Sequence, residues 1–398
     1  MNKMYFELKI ARVFIVILYF VSLKNIILER IKSSKQPLLF RDFMQMVLYY
    51  PQLGYYSGAK EKISSQGDFI TATSQTSLFA RTFAGQFATI ISQLGNDCSV
   101  IEFGAGNGKF AADCVDELES LAILPKRYII VELSNDLRLR QQQYIKENVP
   151  HLYDRFIWLD KLPAEKIKAI VFANELLDAM PVDIFRSENN KLIQQGVIIK
   201  GDTFEFSDMP KNDVRFEYES TKILNDGITF DDGYTSEINT WIRPWVKSLR
   251  EFLSQGIVFL CDYGYHRSLY YSKDRYMGTL ACYHQHHVNF EPFINIGEQD
   301  ITAHVDFTTV AEAAIEEGFQ LDGFMTQANF LKRANIAEVF SNISQCLSTN
   351  QLLKYSNDIK DLLLNDKLAE VFKVMSFSLD FDFVLEVFDN QDNIDYLL

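Results

Sequence analysis

Residues 99–121 read SVIEFGAGNGKFAADCVDELESL and decide the fold. The pattern predicts a short buried strand over Ser99–Phe103, a glycine turn over 104–108 and a helix over Lys109–Leu121. Glycines after a strand let the backbone approach a ligand closely, and the N-terminus of the following helix presents free N–H groups and a positive dipole. The stretch therefore favours a cofactor-binding turn, with a glycine turn of purely structural use as the alternative.

Outward from this stretch, apolar strands alternate with helices. The further predicted strands are Tyr128–Glu132, Ile167–Ala173 and Ile257–Cys261. This rhythm is typical of a parallel sheet covered on both faces, so it predicts an α/β fold. Hairpin-like runs replace the rhythm over about 183–250, where we expect an insertion or subdomain. Beyond Thr302 we expect mainly helices, with a sheet strand near Phe319–Gln327 and a helical tail over about 332–398.

The glycine turn departs from the dinucleotide fingerprint. That fingerprint, G-x-G-x-x-G, needs a third glycine where Lys109 stands. Glu102 leads into the turn, and its carboxylate would repel a pyrophosphate but attract an ammonium group or a sulfonium. Glu132, at the end of the second strand, can hydrogen-bond the two hydroxyls of a ribose. Together these residues favour S-adenosyl-L-methionine over a dinucleotide.

A second polar group follows the strand Ile167–Ala173. Ligands of open α/β sheets bind beyond the carboxyl ends of the strands, so Asn174 and Glu175 should lie at the same edge as the glycine turn. Two polar side chains there can orient a nitrogen nucleophile, and Glu175 can hold a guanidinium group and take its proton. In the alternative interpretation, Glu175 caps the next helix and Asp178 is solvated.

Two more polar clusters come later in the chain. One is DYGY at 262–265, and the other is GEQDITAHVDF at 297–307, which contains His304. A histidine-rich stretch, CYHQHH at 282–287, could suggest a metal, but zinc and iron ligands usually come from separated elements. We therefore expect no metal, and a polar loop near a substrate cleft with His304 hydrogen-bonded within it.

Composition and charge exclude several classes of protein. Apolar residues make up 47% of the 398 and aromatic residues 14%, which is too many for a disordered chain. The net charge of −14 argues against a nucleic-acid partner. None of the five cysteines forms a C-x-x-C pair, which argues against a disulfide framework and a structural zinc site.

The N-terminus carries an apolar run, VFIVILYFVSL at 13–23. A spanning helix needs about 20 residues, so the run is too short, and no small-residue cleavage site of a signal peptide follows it. We interpret residues 1–24 as an extension of the main domain over 25–398. The extension is either a docking helix or a segment that takes no part in the folding of that domain, and membrane association stays open. The N-terminus is not the Ser/Arg-rich helix of a mitochondrial transit peptide, which favours a bacterial cytoplasm.

Several segments together match one known family, in the order in which that family has them. They are FRDFMQMVLYYPQLGYYS (40–57), GDFITA (67–72), VIEFGAGNGKF (100–110), NELLDAMPVD (174–183), CDYGY (261–265), GTLACYHQHHV (278–288) and GEQDITAHVDFT (297–308). With these segments the chain resembles the MidA family of S-adenosyl-L-methionine-dependent methyltransferases over most of its length. The resemblance implies a class I, Rossmann-like, seven-stranded methyltransferase sheet with an added subdomain.

The resemblance adds Asp68 and Thr71, from GDFITA, to the residues expected around the cofactor. The full cofactor-binding set is then Glu102, Gly104, Gly106, Gly108, Glu132, Asp68, Thr71 and Asn174. The expected catalytic set is Glu175, Asn174 and His304, with Glu175 as the residue that holds the guanidinium group.

The activity implied by the resemblance is protein arginine N-methylation. The family's eukaryotic member makes symmetric dimethylarginine on a core subunit of respiratory complex I, so a protein with an exposed arginine is the expected partner, and such a subunit is the acceptor that the resemblance suggests. Two alternatives stay open, a non-catalytic assembly or scaffold factor that retains the cofactor pocket and a small-molecule methyltransferase. A dehydrogenase is the weakest alternative, because Lys109 breaks the dinucleotide fingerprint.

Overall fold

A computed structural model of the chain describes residues 22–58, 76–345, 347–364, 370–389 and 394–397. The chain folds into two compact units. The first unit comprises the described residues within Met1–Lys60, Pro181–Ile238 and Lys273–Ala303, and the second comprises those within Glu61–Met180, Asn239–Ser272 and His304–Leu398.

The strands are numbered in chain order. They are β1 (Leu38–Leu39), β2 (Ser99–Phe103), β3 (Tyr128–Val131), β4 (Phe156–Leu159), β5 (Ile167–Asn174), β6 (Asp183–Glu188), β7 (Lys191–Lys200), β8 (Thr203–Asp208), β9 (Thr235–Ile238), β10 (Leu253–Tyr265), β11 (Ala281–His284), β12 (His287–Asn289), β13 (Asp300–Thr302), β14 (Val305–Asp306), β15 (Gln320–Thr326) and β16 (Phe372–Leu379).

The α-helices are numbered in the same way. They are α1 (Leu23–Ser34), α2 (Phe40–Tyr49), α3 (Ser77–Leu94), α4 (Lys109–Ser120), α5 (Asn135–Asn148), α6 (Val214–Asn225), α7 (Ile242–Phe252), α8 (Arg267–Tyr270), α9 (Phe307–Glu316), α10 (Gln327–Arg333), α11 (Ile336–Ser344) and α12 (Thr349–Leu364).

The first unit is built on antiparallel sheets. In the larger sheet the strands follow the order β1-β7-β6-β9, and β8 pairs with β7. The smaller sheet has the order β12-β11-β13. Helices α1 and α2 supply much of the apolar core of this unit, which includes Ile27, Phe40, Phe43, Val197 and Phe204.

The second unit is built on one eight-stranded sheet. Its strands follow the order β15-β16-β10-β5-β2-β3-β4, and the short β14 pairs with β10. The strands from β10 to β4 are parallel, whereas β16 is antiparallel to both of its neighbours. The predicted α/β fold with a large, mainly parallel sheet is confirmed.

Two apolar cores cover the faces of this sheet. Side chains alternate along a strand, so Ile170 and Phe172 of β5 pack into one core while Val171 and Ala173 pack into the other. Strand β5 is buried on both sides, and its sequence is therefore an almost continuous apolar run. This double burial is what the apolar runs in the sequence indicated.

The C-terminal region differs from the helical tail that the sequence predicts. Helices α11 and α12 are followed by β16, which lies between β10 and β15 in the large sheet. Residues Val374 to Leu379 are all buried, because a central strand is covered on both faces. The helical periodicity that precedes β16 gives no indication that the chain returns to the sheet.

The insertion predicted over about 183–250 has a different boundary in the structure. The first unit contains Pro181–Ile238, with β6 to β9 and α6. Helix α7 belongs to the second unit, where Ile242, Val246 and Leu249 form an apolar stripe in its core. The inserted segment therefore ends at residue 238, and residues 239–250 belong to the second unit.

The apolar run at 13–23 lies almost wholly outside the described residues, which begin at 22. Within the described ranges, no helix has the length and apolar character needed to cross a membrane.

Candidate active site

The carboxyl ends of β2, β3 and β5 meet at one edge of the large sheet. Phe103, the last residue of β2, is in register with Val131 of β3 and with Ala173 of β5. The glycine turn follows β2, Glu132 follows β3, and Asn174 ends β5. The polar groups that the sequence predicts to share an edge therefore do so.

The glycine turn has an unusual backbone. Gly104, Gly106 and Gly108 have φ of 66°, 53° and 85°, in the left-handed region that favours glycine. Gly108 is the N-cap of α4, and its N–H donates to the carbonyl oxygen of Ala105 at 2.8 Å. A Cβ atom added to Gly106 would have no heavy atom of the described residues within 4 Å. The backbone of the turn is thus open to a ligand at Gly106.

Glu132 is held by two bonds at the start of the loop after β3. Its Oε1 accepts the backbone N–H of Ser134 at 2.8 Å, and its Oε2 accepts the side-chain amide of Gln141 at 3.0 Å. Burial raises the pKa of the Glu132 carboxyl, and these bonds oppose the rise. The next residue, Leu133, is 78% exposed although it is large and apolar. An ordered carboxylate can bind the hydroxyls of a ribose, and an exposed apolar side chain can contact a base, so this arrangement suits a nucleoside.

Glu102 occupies a different position from the one that its charge suggested. Its side chain is buried in the core, where the hydroxyl of Tyr128 donates to its Oε2 at 2.7 Å. Burial raises the pKa of Glu102 to about 8. The group is therefore mostly neutral at pH 7 and supplies no charge to attract a sulfonium, so it acts as a support beneath the turn.

Glu175 is the first residue after β5 and has left-handed backbone. Its φ is 48°, which is costly for a residue with a Cβ atom, and such strain concentrates at functional sites. The N–H of Glu175 donates to the carbonyl oxygen of Cys261 at 2.8 Å. The side-chain amide of Asn174 donates to Oε1 of Glu175 at 3.1 Å. The two predicted residues thus act together, with Asn174 orienting the carboxylate.

The loop after Glu175 is capped by Asp262. One oxygen of Asp262, Oδ2, accepts the backbone N–H groups of Leu176, Leu177 and Asp178 at 3.2, 2.9 and 3.3 Å. Burial, followed by the negative charges of Asp178 and Glu175, raises the pKa of Asp262 well above its ordinary value. The alternative in which Glu175 caps the next helix is therefore wrong. The residues directly after Glu175 form a loop, and Asp262 accepts the N–H groups of this loop.

Asp178 is buried, not solvated as that alternative also supposed. Only 4% of Asp178 is exposed, and its Oδ2 accepts the hydroxyl of Tyr263. Burial raises the pKa of Asp178 to about 6. Burial therefore acts on both acids beside the Glu175 loop, and at Asp262 the negative charges of Asp178 and Glu175 add to its effect.

His304 lies near the end of β10, immediately before β14. Its ring packs edge-on against Tyr263, with centroids 5.2 Å apart, and lies 5.5 Å from the ring of Tyr265. Through Tyr263 it is connected to Asp178, and so to the loop that carries Glu175. The structure therefore brings His304 to the aromatic side of the site, whereas Glu175 is bonded to Asn174 and to the backbone of Cys261.

Two other predictions have different outcomes. Asp68 and Thr71 lie in 59–75, outside the described residues, so their part in the site stays a prediction.

The histidine-rich stretch lies in the first unit, where Cys282 is buried and Nδ1 of His284 lies 2.9 Å from the carbonyl oxygen of Glu298. Across the described ranges, no group of His, Cys, Asp and Glu side chains has an arrangement that could hold a metal ion.

Sequence reasoning missed several residues of the site. Gln141 and Tyr128 were not singled out, and Asp262 was noted without a role. Each acts through a contact with a residue distant in sequence, as when Asp262 accepts from the loop after β5. Position gave a signal for Asp262, because polar side chains near the carboxyl ends of strands tend to face the ligand edge of such sheets. It gave none for Tyr128, which begins β3, or for Gln141, which lies within α5.

The comparison with protein families decides what the cofactor is. A family described as S-adenosyl-L-methionine-dependent methyltransferase matches residues 82–325. The chain belongs to this family. The matched residues include the glycine turn, Glu132, Glu175 and Asp262.

Solved structures agree with this assignment. A crystal structure from Burkholderia thailandensis with bound S-adenosyl-homocysteine is 35% identical, covers 93% of this chain and 95% of its own, and has a TM-score of 0.86. A native crystal structure from the same organism is 34% identical with the same coverage and a TM-score of 0.83. The enzyme is therefore an S-adenosyl-L-methionine-dependent methyltransferase with the MidA-like fold that the sequence resembles.

A curated relative is more distant. The "Protein arginine methyltransferase NDUFAF7 homolog, mitochondrial" of Drosophila melanogaster is 23% identical over 340 residues, which are 75% of this chain and 72% of that protein.

The residues at the sheet edge fit the cofactor of the methyltransferase. The open space at Gly106 is one that a Cβ atom would fill, and it lies on the turn that follows β2. The side-chain oxygen of Asn174 is buried and accepts no hydrogen bond from the described residues. An acceptor in that state suits the N–H groups of a ligand, because a buried polar atom without a partner is costly.

Proposed function

We propose that this methyltransferase transfers the methyl group of S-adenosyl-L-methionine to arginine side chains of a protein. The observation that carries the proposal is Glu175, a carboxylate held in strained left-handed backbone at the ligand edge and oriented by the amide of Asn174. The Drosophila relative, which is named a protein arginine methyltransferase, supports the same choice of acceptor.

The chemistry of an arginine acceptor explains why a carboxylate is needed. A guanidinium group is protonated at neutral pH, and one nitrogen must lose its proton before it can attack a methyl group. Glu175 would bind the guanidinium by charge-assisted hydrogen bonds and accept that proton. The bond from Asn174 restricts the rotation of the Glu175 carboxylate, so that the nitrogen can be aligned for an in-line displacement.

The charges around Glu175 favour a cationic acceptor. Negative charge on Asp178 and Glu175 contributes to the raised pKa of Asp262, so the ionised site is destabilised by repulsion. A guanidinium that arrives at this loop relieves the repulsion, whereas an anionic acceptor would increase it. The negative charge at this loop therefore favours an arginine side chain over an acidic small molecule as the acceptor.

The cofactor would be held by residues at the ends of β2, β3 and β5. When bound, S-adenosyl-L-methionine supplies an electrophilic methyl group on a sulfonium. The left-handed turn over Gly104, Gly106 and Gly108 would line the cofactor, with open space beside Gly106. Glu132 would accept hydrogen bonds from the ribose hydroxyls of the cofactor. Asp68 and Thr71 complete the proposed set, with Glu102 as the support beneath the turn.

We extend the proposal to the class of the sheet, the product and acceptor of the reaction, and the location of the protein. The seven strands along the main order of the large sheet support a class I, Rossmann-like sheet. Symmetric dimethylarginine is the proposed product, and a subunit of respiratory complex I is the proposed acceptor. A bacterial cytoplasm is the proposed location.

The proposal is tested by incubating tritiated S-adenosyl-L-methionine and the enzyme with an extract of cells that lack the gene. Hydrolysed protein is then separated into monomethylarginine and symmetric and asymmetric dimethylarginine. We expect label as symmetric dimethylarginine in a basic protein. Label in the acid-soluble fraction alone would identify a small-molecule methyltransferase. No label, with the cofactor bound and a stable complex formed with a respiratory subunit, would identify a scaffold factor.

A further inference from the structure

Gln141 lies where the two cofactor-facing loops of the second unit meet. It is on α5 and is completely buried, with 0% of its surface exposed. Its Nε2 donates to the carbonyl oxygen of Gly106 and to Oε2 of Glu132, each at 3.0 Å. Its Oε1 accepts the indole N–H of Trp158 at 3.1 Å. Both hydrogens and the oxygen of the amide are therefore used.

The amide is not needed for packing alone. An apolar side chain of similar length could fill the same volume without the cost of burying a polar group. The backbone of Gly108 packs directly on Gln141, because an added Cβ atom at Gly108 would lie 3.1 Å from its Cα atom. A buried amide at this point joins the turn after β2 to the acid after β3.

The two bonds have separate consequences for a ligand. The bond to Gly106 fixes the direction of its carbonyl group, and because C=O and N–H point in opposite directions in a trans peptide, it also fixes the N–H of Asn107. The bond to Glu132 holds one oxygen of the carboxylate, while Ser134 holds the other. Each oxygen keeps a second lone pair, which is what two ribose hydroxyls require.

We propose that Gln141 is a positioning residue for S-adenosyl-L-methionine, which acts on the cofactor through Glu132 and Gly106. It orders the carboxylate and the glycine turn before the cofactor arrives, so that the cost of ordering them is not taken from the binding free energy. Trp158 supports this role, because its indole holds the amide of Gln141 in the orientation that directs both N–H groups at the loops.

The test replaces Gln141 by Met, which keeps the length of the side chain and removes its hydrogen bonds. The matched control is Gln143→Met on the same helix, where the amide is exposed and bonds only to Glu147. Calorimetry with S-adenosyl-L-methionine should show a Kd raised about tenfold or more for Gln141→Met. The control should stay within about twofold of the wild type.

A double-mutant cycle separates positioning from a structural role. If Gln141 acts through Glu132, then Gln141→Met should cost much less affinity when Glu132 is already Ala. A structural role would lower the melting temperature of the cofactor-free protein and would add its full effect to that of Glu132→Ala. Additive losses, or a Kd for Gln141→Met within about twofold of the wild type, would overturn the proposal.

A second variant covers the case in which Gln141→Met does not fold. Trp158→Phe keeps an aromatic ring in place and removes the bond to the oxygen of Gln141. Its Kd for the cofactor should rise by about two- to fivefold, since a single hydrogen bond is worth about 1 kcal/mol. An unchanged Kd in folded Trp158→Phe would then contradict the proposal.

Discussion

The Oδ2 atom of Asp262 lies 2.9 Å from the backbone nitrogen of Leu177 and accepts its hydrogen. Asp262 lies near the carboxyl end of β10, and Leu177 lies in the loop that follows the neighbouring strand β5. The same oxygen accepts the neighbouring N–H groups on either side, so one carboxyl group holds the whole loop that begins at Glu175. The position of the proposed guanidinium-holding residue therefore depends on a residue of the adjacent strand.

Removal of this cap should impair catalysis more than cofactor binding. Asp262→Ala leaves three N–H groups of the loop without their acceptor, so the strained backbone at Glu175 can relax. We expect kcat to fall by about 10- to 100-fold per folded molecule, with the cofactor Kd within about threefold of the wild type. Asp262→Asn retains one oxygen and should lie between the two. Equal kcat for Ala and the wild type would contradict the role.

The buried acid Glu102 should make the stability of the enzyme depend on pH. Its pKa is raised to about 8 in the folded protein by burial, so the folded state binds a proton that the unfolded chain has released above its ordinary pKa of 4.5. The contribution of Glu102 is therefore greatest below the ordinary value and is lost as pH rises towards about 8. Each pH unit in this window lowers the free energy of unfolding by up to about 1.4 kcal/mol.

Glu102→Gln should remove that dependence. The amide oxygen can still accept the hydroxyl of Tyr128, but the side chain cannot ionise. We expect the melting temperature of the variant to fall less between pH 6 and pH 8 than that of the wild type. Glu165→Gln, at an exposed position, serves as the control. Parallel pH curves for Glu102→Gln and the wild type would show that the buried acid does not titrate in this range.

Two glycines of the turn should respond differently to alanine. Gly106 has open space beside it, so Gly106→Ala should cost only the strain of a left-handed alanine, about 1–2 kcal/mol, but should raise the cofactor Kd about tenfold or more. Gly108→Ala also forces a Cβ atom against the backbone of Gln141, so it should destabilise the fold further. Melting temperatures and calorimetry separate the two effects. Wild-type affinity in Gly106→Ala would place the cofactor elsewhere.

Leu133 should contribute to cofactor affinity through its exposed apolar surface. It follows Glu132, which is proposed to bind the ribose, so the adenine base attached to that ribose can pack on it. Leu133→Ser should weaken binding by about 1–2 kcal/mol, the value of burying part of a leucine side chain. Leu139→Ser on α5 is the control, because that side chain is also exposed, at 56%. Equal affinities for the two variants would exclude the contact.

Much of the fold follows from local pattern in the sequence. The apolar runs of β2, β3 and β5 and the glycines at 104–108 predict both the parallel sheet and its ligand edge, since double burial leaves few polar residues in those strands. Strand β16 was not predicted, because its burial comes from pairing with β10 and β15, which are distant in sequence. The boundary at 238 likewise depends on where α7 packs.

The site divides in the same way. Glu132, Asn174 and Glu175 could be placed at the ligand edge from the sequence, because each ends a strand or directly follows one. The bonds that orient them could not, since those of Gln141 and Asp262 depend on side-chain directions that the sequence does not specify. The charge of Glu102 was misjudged for a related reason, because its face of β2 points into the core and burial neutralises it.

Glu175 is proposed to act in the methyl-transfer step and not in binding the cofactor. The most direct measurement compares Glu175→Gln with the wild type and with the control Glu165→Gln, using calorimetry for S-adenosyl-L-methionine and label in hydrolysed extract protein for transfer. We predict that Glu175→Gln binds the cofactor within about twofold of the wild type and loses about 100-fold or more of methylarginine formation. Methylarginine formation at the wild-type rate in Glu175→Gln would contradict the account.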